Sequence, residues 1–320
     1  MSAGTTQVSR VFADNAALQA VIGVGNENLD RLEQVLGITV AGRGNQLTVS
    51  GPSDRVQTAL EVLDALYAQA GRGSALGPAE VDAAVRLAGE AVVPVASVRT
   101  RKTEIKARSP NQARYLEAML THDLVFGLGP AGTGKTYLAV AMAVSLFVQR
   151  RVERIILSRP AVEAGERIGF LPGDMRDKVD PYLRPMYDAL HAMLPGDEVA
   201  RRLESGDFEV APLAFMRGRT LANAFVILDE AQNTTPTQMK MFLTRLGENG
   251  RMVITGDATQ VDLPLGAKSG LRDALEVLDG EPGIGKVVFT DQDVVRHDLV
   301  TRIVRAYDRR DGSLEIRHAR

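Results

Sequence analysis

The chain of 320 residues contains no cysteine, which excludes disulfide bonds and thiolate metal sites. Its four histidines are scattered and do not form the spacing of a metal-binding motif. No apolar run approaches the length of a membrane span, and the N-terminus lacks a basic segment followed by an apolar one. These absences predict a cytoplasmic protein with no membrane partner.

A strong charge of either sign is also missing, because the formal net charge is −2. Any nucleic-acid surface must therefore be a local basic patch and not a property of the whole chain. The composition is 45% hydrophobic and 24% charged, which is ordinary for a globular protein with an ample core. The length predicts two modest domains.

The most informative segment runs from Gly129 to Thr136 and fits the phosphate-loop pattern G-x-x-x-x-G-K-[ST]. An apolar strand is expected before it at 124–127, and a helix after it at 137–148. Lys135 is expected to reach the β- and γ-phosphates of ATP, and the Thr136 hydroxyl to bind Mg²⁺. The alternative is a glycine-rich turn without a ligand. Nucleotide binding is predicted for the whole loop: Gly129, Pro130, Ala131, Gly132, Thr133, Gly134, Lys135 and Thr136.

Two adjacent carboxylates follow a second apolar strand, at Asp229 and Glu230. Open α/β sheets bind ligands at the carboxyl ends of their strands. Asp229 is expected to hold the Mg²⁺ shell through water, and Glu230 to orient and polarise the attacking water. A solvated strand end is the alternative for this motif alone. Together with the phosphate loop, the pair indicates a hydrolytic nucleotide site.

Three further polar residues are candidates for nucleotide sensing. After the strand that ends at Thr255, Gln260 is predicted to sense the γ-phosphate and Asp257 to relay its state. Gln112 precedes the phosphate-loop strand by about ten residues, and its amide has the donor and acceptor needed to read the adenine edge.

Residues 1–94 form the first predicted domain, with the order β-α-α-β-β-α. This order, with the phrase VIGVGNENLDRL, resembles a KH domain, an RNA-binding module built around a GxxG loop. The loop departs from the family because Asn26 stands at its fourth position and Val24 at a position that is often basic. Residues 1–95 hold six basic and ten acidic side chains. Weak RNA binding and protein docking both stay open for this domain.

Residues 95–110 are predicted to be a basic linker. The segment contains one acidic residue, Glu104, and five basic ones: Arg99, Arg101, Lys102, Lys106 and Arg108. A solvated connector is slightly favoured, since that is usual for charge runs. The alternative is a basic arm that contacts a nucleic-acid backbone.

Residues 111–320 alternate helices with apolar strands, which predicts an α/β fold with a mostly parallel sheet and helices on both faces. The strands are expected at 124–127, 154–158, 224–229, 252–255 and 287–290, with a shorter one at 208–211.

The motif set resembles the PhoH-like ATPase family, which is related to superfamily 1 helicases. The resemblance covers roughly residues 105–310 and lies in four phrases besides the phosphate loop: SRPAVEAGERIGFLPGD, FMRGRTLANAFVILDEAQNTT, TGDATQVDLP and DVVRHDLV. It implies a RecA-like P-loop domain and ATP hydrolysis with Mg²⁺. It also implies a role in RNA metabolism, on single-stranded or structured RNA, with helicase-like activity and with ribonuclease or ribosome-maturation proteins as partners.

The resemblance also marks arginines that would stabilise charge on the γ-phosphoryl group. Arg296 is the preferred arginine finger and Arg219 the next, ahead of Arg159 and Arg217. Only one phosphate loop is present, and about thirty residues follow Thr290. We therefore expect a homo-oligomer, with a hexameric ring favoured, in which a neighbouring subunit supplies the finger. A monomer with its arginine in cis is the alternative.

The preferred interpretation is an RNA-linked remodelling ATPase. The second is a regulatory switch that docks partner proteins according to nucleotide state and unwinds nothing. A small-molecule phosphotransferase is disfavoured because the pair of Asp229 and Glu230 suits water activation and no acceptor pocket or lid is evident.

Overall fold

The computed structural model describes residues 5–88, 97–160, 175–264 and 266–295, together with 299–300, 302–303 and 306. The chain divides into two compact units, one of residues 1–97 with 106–117 and the other of 98–105 with 118–320. Within the described ranges, no helix is both long enough and apolar enough to cross a membrane.

The first unit is a small α+β fold with a three-stranded antiparallel sheet in the order β1-β3-β2. The observed element order confirms the predicted β-α-α-β-β-α pattern, and one further helix follows it. The elements are β1 (Thr5–Val11), α1 (Asn15–Ile22), α2 (Glu27–Leu36), β2 (Thr39–Arg43), β3 (Gln46–Pro52), α3 (Ser53–Ala70) and α4 (Pro78–Leu87).

Local sequence explains how this unit is built. Asp14 begins α1, because its carboxylate accepts hydrogen bonds from the backbone N–H groups of Ala16 and Ala17. In β3 the alternate residues Leu47 and Val49 are fully buried, as expected for a strand that turns one face to the core. The helices cover that face, and the unit has its own hydrophobic core.

Three elements follow α4 in the chain: β4 (Ser97–Arg99), β5 (Glu104–Lys106) and α5 (Pro110–Thr121). β4 and β5 form a two-stranded sheet. The remaining elements are β6 (Leu124–Leu128), α6 (Lys135–Val148), β7 (Arg154–Arg159), α7 (Met175–Met193), α8 (Gly196–Glu204), β8 (Phe208–Pro212), β9 (Ala224–Leu228), α9 (Pro236–Leu243), β10 (Arg251–Gly256), α10 (Gly270–Val277) and β11 (Ile284–Val288).

The second unit is built on a six-stranded sheet in the order β11-β6-β10-β9-β7-β8. Every neighbouring pair in this sheet is parallel. β6 and β9 are buried at every residue, because helices cover both faces of a parallel sheet and leave no solvent face. The predicted RecA-like α/β architecture is confirmed, and so is the shorter strand at 208–211.

The strand register decides what meets at the carboxyl edge of the sheet. β10 lies between β6 and β9, with Gly256 opposite Leu128 and Ile254 opposite Leu228. The segments that leave these three strands therefore emerge side by side. They are the phosphate loop, the pair of carboxylates and the turn that begins at Asp257, which are the segments that the sequence marks as functional.

Candidate active site

The phosphate loop connects the end of β6 to the start of α6, as predicted. Gly129 has φ 138°, and a Cβ atom there would lie 2.5 Å from the carbonyl oxygen of Phe289. Only glycine is compatible with that backbone conformation and that close approach. The fully buried Thr133 hydroxyl donates to the Pro130 carbonyl at 3.0 Å, which closes the loop on itself.

Lys135 lies inside this loop and is only 9% exposed. Its Nζ atom donates hydrogen bonds to the carbonyl oxygens of Gly129 at 2.5 Å and Pro130 at 2.7 Å. A buried ammonium group needs acceptors, and the loop supplies them from its own backbone. The same positive charge is available to phosphate oxygens that enter the loop.

The next residue brings the loop and β9 together. The Thr136 hydroxyl donates to Asp229 Oδ1 at 2.6 Å, and the Thr255 hydroxyl of β10 donates to the same oxygen at 2.6 Å. Asp229 is 5% exposed, so these hydroxyls hold the carboxylate in place at the end of its strand.

The side-chain oxygens of Thr136 and Asp229 are suitable ligands for Mg²⁺. In the described part of the chain, no group of three or more His, Cys, Asp or Glu residues is arranged to hold a metal ion. Mg²⁺ does not require such a group, because it is commonly bound by one or two protein oxygens, water and substrate phosphates. The pair of Thr136 and Asp229, beside a phosphate loop, supplies that small number of hard oxygen ligands.

Glu230 occupies the turn after β9 with a left-handed backbone conformation, φ 53° and ψ 38°, which is uncommon for a residue with a side chain. Its Oε2 accepts a hydrogen bond from Gln232 Nε2 at 2.6 Å, and its Oε1 lies 3.5 Å from Arg159 Nη2. The side chain keeps 39% of its surface exposed. The sheet therefore holds this carboxylate at a fixed place with an open face.

The turn after β10 supplies the third part of the site. Asp257 Oδ1 accepts hydrogen bonds from the backbone N–H of Thr259 at 2.9 Å and from its hydroxyl at 2.6 Å. Asp257 Oδ2 is buried and has no hydrogen-bond partner among the described protein atoms. The backbone N–H of Gln260 donates to the Asp257 carbonyl at 3.2 Å, which fixes Gln260 in the same turn.

All three segments line one cavity of about 250 Å³. It contains the predicted residues Lys135, Thr136, Asp229, Glu230 and Gln260, which the chain separates by up to 125 positions and the sheet brings together. The lining residues are Ala131, Gly132, Gly134, Lys135, Thr136, Tyr137, Asp229, Glu230, Gly256, Asp257 and Gln260.

Neither Gln112 nor Arg219 is among the residues that line this cavity. Gln112 belongs to the first unit, is 4% exposed and accepts a hydrogen bond from the Arg108 backbone N–H at 2.7 Å, and its role as adenine reader stays a prediction. Arg219 forms two 2.7 Å hydrogen bonds with the carboxylate of Glu209, which raise the pKa of the guanidinium. Arg296 lies outside the described residues.

The basic linker segment is held by local contacts. Arg101 pairs with Glu198 at 3.5 Å, and Lys102 donates to the His191 carbonyl at 2.7 Å. Lys106 donates to Gln69 at 3.1 Å and to Ser74 at 2.9 Å, and Arg108 pairs with Glu80 at 3.5 Å. These partners favour the connector interpretation over a free nucleic-acid arm, because four of the five cations already have an acceptor.

Two residues of the site were not assigned a role from the sequence. Thr255 meets Asp229 only because β10 lies beside β9, and Gln232 meets Glu230 only because of the turn between them. A signal for Gln232 was present, since it follows the acidic pair by two residues in the phrase DEAQNTT. Nothing in the local pattern around Thr255 indicated its partner.

Comparisons with known proteins show the family of the chain. The family model described as PhoH-like protein matches residues 104–308. The PhoH-like protein of Bacillus subtilis (strain 168) is 48% identical over 297 residues, which cover 90% of this chain and 93% of that protein. The PhoH-like protein of Mycobacterium tuberculosis (strain ATCC 25618 / H37Rv) is 49% identical over 296 residues, which cover 90% of this chain and 84% of that protein.

Among solved structures, the Pif1 helicase from Candida albicans aligns with 57% of this chain and 39% of that chain, at 14% identity and a TM-score of 0.32. The two sequence matches cover a much larger share of the chain, 90% in each case. They show that the chain belongs to the PhoH-like protein family, and its phosphate loop and strand-end carboxylates make it a nucleotide-binding P-loop NTPase.

Proposed function

We propose that this protein hydrolyses ATP with Mg²⁺ and that its turnover is linked to RNA. The observation that carries the hydrolysis proposal is the 2.6 Å contact between the Thr136 hydroxyl and Asp229, with Glu230 lining the same cavity. A metal-binding pair, a phosphate cradle and a second carboxylate are the parts that water attack on a γ-phosphate requires.

Each residue has a separate role in this proposal. Lys135 gives up its backbone acceptors and neutralises the β- and γ-phosphates. Thr136 and Asp229 would hold Mg²⁺, which would supply positive charge to neutralise the negative charge that develops on the phosphates. Glu230 accepts a hydrogen bond from the attacking water and orients it. Gln260 contacts the γ-phosphate and distinguishes it from free phosphate after the reaction.

Water, and not a second substrate, is the proposed acceptor. Glu230 keeps an open face in the cavity, so a water molecule can reach it directly. The pair of Asp229 and Glu230 at the end of β9 suits water activation, which favours hydrolysis over phosphotransfer.

The link to RNA rests on the PhoH-like resemblance, which implies helicase-like or RNA-remodelling activity and ribonuclease or ribosome-maturation partners. We also propose a homo-oligomer, with a hexamer favoured, in which an arginine from a neighbouring subunit reaches the γ-phosphate. Arg296 is preferred, since Arg219 would first have to leave Glu209, to which it makes two short hydrogen bonds.

The test measures phosphate release from ATP by the purified protein, with Mg²⁺ and with the metal chelated. Single-stranded RNA, single-stranded DNA and duplexes are then added at fixed salt. We expect turnover that requires Mg²⁺ and rises with RNA. ATP binding without phosphate release would refute hydrolysis, while hydrolysis that RNA leaves unchanged would refute the RNA link and favour the regulatory switch.

A further inference from the structure

Gln232 lies at the centre of the site without touching the cavity. It is 1% exposed, in the short turn that follows Glu230. Its Oε1 accepts a hydrogen bond from the backbone N–H of Asp257 at 3.1 Å, and its Nε2 donates to Glu230 Oε2 at 2.6 Å. One buried amide thus joins the ends of β9 and β10.

The orientation of that amide is fixed by its surroundings. A backbone N–H only donates, so the atom facing Asp257 must be the amide oxygen. The amide nitrogen therefore faces Glu230 and donates a hydrogen bond to its carboxyl group. A Cβ atom at Gly256 would lie 2.7 Å from Gln232 Oε1, which shows how closely the amide packs against β10.

The backbone of Gln232 is anchored as well. Its carbonyl accepts a hydrogen bond from the buried Ser269 hydroxyl at 2.8 Å, just before α10. The side chain is consequently held from both ends and has little freedom to follow Glu230 if that carboxylate moves. Movement of the Asp257 turn, in contrast, would act directly on the Gln232 side-chain amide through the hydrogen bond that joins them.

Gln260 extends this chain of contacts to the cavity. It lies in the cavity, and its backbone is bonded to Asp257. A continuous path therefore runs from Gln260 through Asp257 and Gln232 to the carboxylate of Glu230. The path consists of three hydrogen bonds. Of its four residues, only Gln260 and Glu230, at the two ends, need to contact the substrate.

We propose that Gln232 is the positioning residue for Glu230 and that it ties the orientation of this carboxylate to the γ-phosphate-sensing turn at Asp257–Gln260. The inference rests on the proposed ATP hydrolysis. It assigns no proton transfer to Gln232, which acts only by holding Oε2 of Glu230. Oε1, which lies 3.5 Å from Arg159 Nη2, is then the oxygen that accepts from the attacking water.

The experiment compares Gln232→Met with Asn233→Ala. Met keeps the volume of the side chain and removes both of its hydrogen bonds. Asn233 is the matched control, because it is buried in the same turn and its side chain forms hydrogen bonds with Asp262, at 3.2 Å and 2.8 Å. Its backbone N–H donates to the Glu230 carbonyl at 3.0 Å, and the substitution keeps that hydrogen bond. Steady-state ATP hydrolysis gives kcat, and fluorescent ATP binding gives Kd, on the full chain with Mg²⁺.

We expect Gln232→Met to lower kcat by about 10- to 100-fold, since a hydrogen bond to a charged group is lost. The Kd for ATP should stay within about twofold, because no phosphate ligand is removed. Asn233→Ala should keep kcat within about threefold. In a double variant with Gln260→Ala and Gln232→Met, kcat should fall by less than the product of the two single fold-losses, because both residues act on one path.

Three results would overturn the proposal: an unchanged kcat in Gln232→Met, a Kd that rises as much as kcat falls, or an equal loss in Asn233→Ala. Thermal unfolding checks that each variant is folded. If Gln232→Met is unfolded, Gln232→Glu serves instead, because it keeps the shape and replaces the donor with a carboxylate that repels Glu230. Wild-type protein that binds ATP without hydrolysing it refutes the proposed function itself.

Discussion

Two glycine-bearing loops of this chain lead into helices, one in each unit, and they differ in what surrounds them. The loop Gly23–Asn26 precedes α2, and the phosphate loop precedes α6. Val24 is 87% exposed at the centre of the first loop, whereas Lys135 is 9% exposed at the end of the second. Both helix N-termini carry a partial positive charge.

The surroundings decide which helix end suits a phosphate. The first turn of α2 contains Glu27 and Asp30, which already occupy the positive end of the helix dipole. The first turn of α6 contains no acidic residue, and the strand-end carboxylate of Asp229 lies where a cation would join it to phosphate. Glycines and a helix N-terminus are therefore not enough to form a phosphate-binding site. The site also needs a buried lysine and a carboxylate that can bind a metal ion.

The largest effect should come from Lys135→Ala. Removing the buried ammonium leaves the triphosphate without its main charge partner, and we expect kcat/KM for ATP to fall by about a thousandfold. The measurement is steady-state phosphate release. Lys240→Ala, the same change at an exposed position of α9, is the control and should match wild type. If Lys135→Ala kept its turnover, the buried lysine would not be what distinguishes the phosphate loop from the Gly23–Asn26 loop.

Glu230→Gln should have the next largest effect. The amide cannot polarise the water, so kcat should fall by about 100-fold or more while ATP binding is kept. Fluorescent ATP binding and phosphate release are measured on the same preparation. Glu248→Gln, at an exposed site on the same unit, controls for the loss of one charge. Equal turnover in wild type and Glu230→Gln would remove the assignment of Glu230.

A matched pair of glycine substitutions sharpens the comparison of the loops. Gly129→Ala meets the Phe289 carbonyl at 2.5 Å and should lower the free energy of unfolding by about 3 kcal/mol or more. Gly25 also has a positive φ, 62°, but no atom lies within 4 Å of an added Cβ. Gly25→Ala should therefore cost only about 1 kcal/mol. Denaturant unfolding measures both, and equal losses would contradict the close packing of the phosphate loop.

The smallest effect is expected from Val24→Asp. It places a carboxylate in the Gly23–Asn26 loop, where a phosphate clamp would be strongly weakened. Because that loop has no basic side chain, we expect RNA affinity to change by less than about twofold. Fluorescence anisotropy at fixed salt measures it. A tenfold loss of RNA affinity would mean that this loop binds RNA despite its acidic surroundings.

Much of the fold was predictable because its signals are local. The predicted order β-α-α-β-β-α is observed in the first unit, where its first two helices are Asn15–Ile22 and Glu27–Leu36. The strands of the second unit differ by a few residues at their ends, since hydrophobic pattern marks the centre of a strand better than its last hydrogen bond. The acidic pair and the loop lysine were likewise identified from strand–turn context alone.

The sequence by itself determined the class of the protein, because a phosphate loop after an apolar strand and two carboxylates after another are local patterns with one main use. Only the tertiary structure decided that β10 lies between those strands, so that Thr255 meets Asp229 across 26 positions. It also decided that Gln232 joins Glu230 to Asp257, and that Arg219 pairs with Glu209. The physical reason is that strand order and register follow from the packing of the whole sheet, which no single segment encodes.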